Sequence, residues 1–143
     1  MPWLEDVVEA DQTDIIYGTR TPGDEVAANI LRDLQYAENN IKVAGDGDNT
    51  VNKNCVLALI SRYGLREGTW RKYHNLSNAE TFLKESERAS MLLMTAYPTV
   101  APNFQDRWST EDLRTYPGMI LFKEYSTNIL MQPFSRSERG GAN

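Results

Sequence analysis

What this chain has little of narrows it first. Among 143 residues there is one cysteine, Cys55, so the chain alone can form neither a disulfide nor a cysteine zinc site, and a reducing interior is the expected place of synthesis. There is also one histidine, His74. Any Ser-His-Asp triad, Cys-His pair or histidine metal site would have to use it, yet its neighbours Tyr73 and Asn75 suggest a surface or capping role. Cys55 sits in an apolar stripe, where a cysteine behaves as a small hydrophobe. No apolar run approaches the roughly 18 to 20 residues that span a bilayer. The opening MPWLEDVVEADQTD is acidic where a secretory signal is basic. No membrane partner is expected, and Asn75-Leu76-Ser77 matches a glycosylation acceptor only by chance.

Glycine patterns are equally sparse. Gly45 and Gly47 are not followed by the Gly-Lys-Ser/Thr ending of a nucleotide loop, so no cofactor is expected. Asp46-Gly47-Asp48-Asn49 brings two carboxylates one residue apart. A calcium loop counted from Asp46 needs glycine at its sixth place and glutamate at its twelfth, and these are Val51 and Leu57. A plain interhelical turn fits better. With neither a nucleophile beside a base nor a metal cluster in view, no catalytic or metal residue is expected and the chain does not read as an enzyme.

What is there is globular: 41% hydrophobic and 24% charged residues, enough for one ordinary core without disulfides. The net charge of -5 is uneven. Residues 1 to 25 hold Glu5, Asp6, Glu9, Asp11, Asp14, Asp24 and Glu25 against Arg20 alone, leaving the body close to neutral. That body has no broad basic footprint for nucleic acid. An acidic arm either stays solvated or lies on a basic partner surface.

Periodicity predicts three main helices. After Thr21-Pro22-Gly23, with Asp24 as cap, Val26, Ile30, Leu34, Ala37 and Ile41 recur at helical spacing to about Ala44. A second, broadly apolar helix is expected from about Thr50 to Leu65. Val51, Cys55, Ala58, Leu59 and Arg62 line one side, Val56, Ile60 and Tyr63 lie beside them, and Gly64 terminates it. A polar linker, Arg66 to Thr69, then precedes a short turn at Trp70 to His74. Ser77 and Glu80 suggest a capping box for a third helix whose stripe is Ala79, Phe82, Ser86, Ala89, Leu93 and Ala96. Its small residues allow close approach to a neighbour, and Pro98 ends it. A brief helical turn is expected at Ser109 to Arg114. Met119-Ile120-Leu121-Phe122 and Ile129-Leu130-Met131 then read as two strands of a hairpin, too short and apolar to stand alone. The predicted organisation is a mainly α chain: an acidic arm at 1–22, a small helical bundle at 23–97, a loop and β-hairpin at 98–134, and a tail at 135–143.

The hairpin residues, with Phe134 and the arm residues Trp3 and Leu4, are the expected partner interface. Arg62, Arg66, Arg71 and Lys72, with Trp70 and Tyr73 interleaved, form the one basic-aromatic cluster. It could touch phosphates or stack on bases, but Glu67 within it favours a protein contact or charge pairing at a helix C-terminus.

The order of parts resembles a family. D-E-x-x-x-x-I-L-x-x-L-x-x-A from Asp24 to Ala37, then VNKNCVLALISRYGL, WRKYHN and AETFLKESERASMLL, is similar to the head-tail connector, or adaptor, proteins of tailed bacteriophages over residues 24 to 97. The resemblance rests on Asp24, Leu34, Ala37 and Ile41, on Ala58 and Tyr63, and on Tyr73 and Leu83. The acidic arm and the segment beyond Pro98 depart from the simpler members. The resemblance implies a structural subunit at the neck of the virion, made in the host cytoplasm and assembled as a homo-oligomeric ring, dodecameric in that family, between the portal and the tail or neck proteins. A tail-completion or capsid-associated protein, or a helical regulatory or nucleic-acid-binding module, remain the alternatives. Whether the hairpin pairs within or between chains stays open.

Overall fold

The computed structural model describes residues 2–5, 7–109 and 112–124. They are mainly helical, in the order α1 (Thr13–Ile16), α2 (Gly23–Asn40), α3 (Lys53–Tyr73), α4 (Ala79–Ala96) and α5 (Phe104–Ser109). Helices α2, α3 and α4 carry the core. Tyr63 of α3 meets Ala27 near the start of α2, and Ser61 meets Ser90 of α4. The three helices therefore run up, down and up around Ala27, Leu31, Val56, Leu57, Ile60, Phe82 and Ala89.

Local chemistry explains the helix ends. Asn52 caps α3, its side-chain oxygen accepting from the backbone N–H of Asn54 at 2.9 Å and of Cys55 at 3.2 Å; two orphan amides of the first turn are thereby satisfied. Asn75 and Asn78 take positive φ in the tight connection to α4, a region that asparagine tolerates better than most residues. The expected capping box at Ser77 does not form. Asn78 occupies the cap position of α4 without a side-chain cap bond, and the Ser77 carbonyl instead accepts from Arg71. Likewise Asp24 lies inside α2 rather than capping it, where Pro22 takes the cap position, and α2 stops at Asn40, short of Ala44.

The largest correction concerns α3. The expected stop at Gly64, the linker at 66–69 and the separate turn at 70–74 are one continuous helix to Tyr73. Gly64 and Gly68 are not terminators; they let α4 come close. A Cβ on Gly64 would lie 2.5 Å from the Phe82 carbonyl oxygen, and one on Gly68 would lie 2.6 Å from Leu83 Cγ. The small-residue stripe expected on the third helix supplies the other half of this contact. Ser86 Oγ–H donates to the Ser61 carbonyl at 2.7 Å, and Ser90 to that of Ser86 at 2.7 Å. The buried Ser86 hydroxyl is thereby satisfied across the seam and the half-buried Ser90 hydroxyl within α4.

Arg88 ties α4 to α2 by pairing with both oxygens of Glu38, at 3.0 and 2.6 Å. The guanidinium holds the buried Glu38 carboxyl below its ordinary range, against the opposing effect of burial, while Arg88 is itself pushed up, chiefly by that hydrogen bond.

The hairpin expectation fails where it can be read. Residues 119–122 form no strand, and the backbone of Phe122 is met by a side chain instead of a ladder. The Asn49 amide donates to the Phe122 carbonyl at 2.7 Å and its oxygen accepts from the Phe122 N–H at 3.0 Å, the pair of bonds a neighbouring strand would make. The partner strand, Ile129 to Met131, and the tail at 135–143 lie outside the described residues. A short helix, α5, covers Phe104–Ser109, with Asn103 accepting from the Gln105 N–H at its start; of the helical turn expected at Ser109 to Arg114, residues 110 and 111 lie outside the described residues and 112–114 are not helical.

Candidate functional site

The side of α3 turned away from α4 is the most distinctive surface. Helical spacing brings Leu59, Arg62, Tyr63, Arg66, Trp70 and Tyr73 to one side, where they line an open groove of about 1210 Å³ with Leu65, Glu67, Thr69 and His74. All its lining residues belong to α3 or to its C-terminal cap. Trp70 and Tyr73 are 56% and 80% exposed, unusual for large aromatics on a helix that also carries the core.

The C-terminal end of this face is ordered by its own contacts. His74 stacks on Trp70 with ring centroids 3.7 Å apart, and Nδ1 lies 2.9 Å from the Trp70 carbonyl oxygen, to which it donates. The His74 backbone N–H also reaches that carbonyl. The one histidine is thus engaged in finishing the helix. Tyr63 closes the inner edge of the groove, its hydroxyl donating to the Ala27 carbonyl at 3.0 Å; burial, with the Glu67 charge second, raises its pKa.

Of the expected basic-aromatic cluster, Arg62, Arg66 and Trp70 do come together here. Lys72 is exposed but does not line the groove. Arg71 is the exception that the structure corrects: it is 2% exposed and cannot serve as a surface contact. Its guanidinium pairs with Glu67 and Asp24, each at 2.9 Å, donates to the Ser77 carbonyl at 3.0 Å, and lies 4.9 Å from the centre of the Phe82 ring. A buried cation so fully partnered fixes how α2, α3 and the turn before α4 meet. Arg62 and Arg66 form no ion pair among the described residues, which leaves two unspent cations among exposed aromatics.

The expected interface residues divide. Trp3 is half-buried, with its backbone N–H donating to Thr21 Oγ1 at 2.7 Å and its indole N–H to Glu5 at 3.3 Å. It therefore serves to pin the arm, while Leu4 beside it is exposed. Met119, Ile120 and Phe122 are half-buried and Leu121 is exposed. Ile129, Leu130, Met131 and Phe134 lie outside the described residues.

The metal reading of the 46–49 turn gains no support. The Asp46 carboxylate pairs with Lys42, and Thr50 Oγ1 accepts from the Asp46 N–H and donates to the Gly47 carbonyl. Among the described residues no cluster of three or more histidine, cysteine or acidic side chains could hold a metal ion, and no helix is long and apolar enough to cross a membrane.

Sequence reading left His74 out of this face and did not join Leu59 to the cluster of Arg62, Arg66, Trp70 and Tyr73, because it ended the helix at Leu65. The signal was present: extending the helical period past Gly64 places Leu59, Arg62, Arg66, Trp70 and Tyr73 at steps of three, four, four and three. Neither a family model, nor a curated protein, nor a solved structure matches this chain.

Proposed function

We propose that this chain is a non-enzymatic structural subunit, a head-tail connector or adaptor of a tailed bacteriophage that assembles as a ring between the portal and the tail. One observation carries the reading. The long face of α3 from Leu59 to Tyr73 carries large apolar side chains that its own fold leaves in water, and such a face on a small bundle marks a protein contact. The order of α2, α3 and α4 over Gly23–Ala96 also agrees with the resemblance in the sequence. The hairpin no longer contributes to the argument.

The ring would be homo-oligomeric, dodecameric if the resemblance holds, bound to portal and to neck or tail proteins, resident at the neck of the virion and made in the host cytoplasm. Native mass measurement of the full chain, alone and with a portal ring, tests this. The expected result is a defined oligomer that binds the portal; a monomer at every concentration that ignores the portal overturns the reading. A tail-completion or capsid-associated role is separated by the subunit's position in an assembled particle.

A second reading has one observation of its own. Arg62 and Arg66 beside exposed Trp70 are the parts of a single-strand binding surface. In that case, replacing both arginines by alanine abolishes a salt-sensitive interaction with an oligonucleotide, and an unchanged titration removes the idea.

A further inference from the structure

We propose that an acidic loop near the N-terminus of one copy of this chain seats on the outer face of α3 of a second copy, a head-to-tail contact. The proposal deepens the ring reading and rests on it for closure into a ring.

The loop is built as a projection. Its base is fastened where the Trp3 N–H meets Thr21 Oγ1 at 2.7 Å and Arg32 of α2 meets Glu5 at 2.5 Å. Between these points every residue from Glu9 to Arg20 is exposed. The projection includes α1 and carries Val7, Ile15, Ile16 and Tyr17 in water, with Val7 and Tyr17 at 88% and 84% exposure. The carboxylates of Glu9, Asp11 and Asp14 form no ion pair among the described residues.

The α3 face has the opposite pattern. Arg62 and Arg66 are equally without an ion pair among those residues, set between Leu59, Trp70 and Tyr73. The loop is mainly acidic, with Arg20 its one cation, and the face is mainly basic, its Glu67 being paired with Arg71; both interleave these charges with apolar side chains, and each complements the other. Complementary charge directs such patches together, and burial of the apolar groups holds them. The groove is lined by α3 and its cap alone, so the chain's own loop does not cover it. Because loop and face are different patches, the contact repeats from copy to copy. Nucleic acid is disfavoured as the occupant: two arginines on a chain of net charge -5, with an acidic projection on the same molecule, give a weak phosphate footprint.

The test is sedimentation velocity of the full chain across concentration and salt. It compares wild type with a loop variant (Asp11→Lys, Asp14→Lys) and a face variant (Arg62→Glu, Arg66→Glu), each checked for helicity. Wild type is expected to associate, more weakly at high salt, and each variant to associate at least about tenfold more weakly. An equimolar mixture of the two variants is expected to regain association, because each supplies the surface the other has lost; a contact within one chain cannot do this. A monomeric wild type overturns the proposal, as does failure of the mixture to regain association. So does a wild type that binds a single-stranded oligonucleotide through Arg62 and Arg66 without self-associating. An oligomer indifferent to both variants overturns this contact and leaves the ring reading standing. An oligomer that needs both surfaces but ignores the portal overturns the ring reading and leaves this contact standing.

Discussion

The two sides of α3 differ in a way that reverses the usual expectation of large residues inside and small ones outside. Toward α4 the second half of the helix presents Gly64, Gly68 and buried Arg71, whose guanidinium lies over the Phe82 ring; away from it lie Leu59, Leu65, Trp70 and Tyr73, all exposed. In this half of the helix the small side chains let two backbones come close enough for the Ser86 hydroxyl to bond to the Ser61 carbonyl across the seam, while buried Arg71 ties α3 to Asp24 of α2 and to the Ser77 carbonyl before α4. The large ones contribute little to that seam. If the outer face is the contact surface proposed above, stability and recognition lie on opposite faces of one element, and each should be open to perturbation without the other.

The sharpest way to break the comparison is to remove Arg71. Arg71→Ala leaves Glu67 and the Ser77 carbonyl without their partner and empties a site against Phe82, so chemical denaturation is expected to show a loss of about 3 kcal/mol. Next is Gly64→Ala. Alanine is the better helix former by about 1 kcal/mol, yet its Cβ would meet the Phe82 backbone, and overpacking of this kind gives a net loss of about 2 kcal/mol. If Gly64 were a terminator, the same change would be neutral or stabilising.

A smaller effect sharpens the picture through pH. The folded pKa of Glu38 is lowered, chiefly by its hydrogen bonds to Arg88. Its contribution is therefore present above the unfolded carboxylate value, about 4.5, and is lost as pH falls through the lower folded value. Near neutral pH, Glu38→Gln is expected to cost about 1 kcal/mol, a figure kept small because Arg88 is partly exposed. Denaturation curves taken downward in pH should show the gap between variant and wild type closing below the ordinary carboxylate range. The smallest effect belongs to the outer face: Trp70→Ser should change folding stability by no more than about 0.5 kcal/mol while weakening self-association.

Much of this architecture was legible in the residues, for physical reasons that also mark the limit. The start of α2 at the Pro22-Gly23 turn, and the stripe of Phe82, Ser86, Ala89 and Leu93 ended before Pro98, follow from a strong helical period with clear punctuation. Gly64 was misread because a glycine near an apolar run means either a stop or a close neighbour, and only the position of α4 decides between them. Arg71 was misread for a related reason. A basic residue among aromatics looks like a surface contact until Asp24, 47 positions earlier, and the Ser77 carbonyl are brought to it by the fold. The expected strand at 119–122 is absent, and at its end Asn49, far away in sequence, satisfies the Phe122 backbone that a partner strand would have paired. The outer face was recoverable, but only by a reader willing to run the helix through two glycines.

The most direct test of the two-sided helix is the free energy of unfolding of Gly64→Ala and Trp70→Ser, measured side by side in the same denaturant with wild type. A clear loss for the glycine variant and almost none for the tryptophan variant is predicted. Equal losses, or a larger one at Trp70, would contradict the account, since the aromatic face would then be helping to hold the fold together.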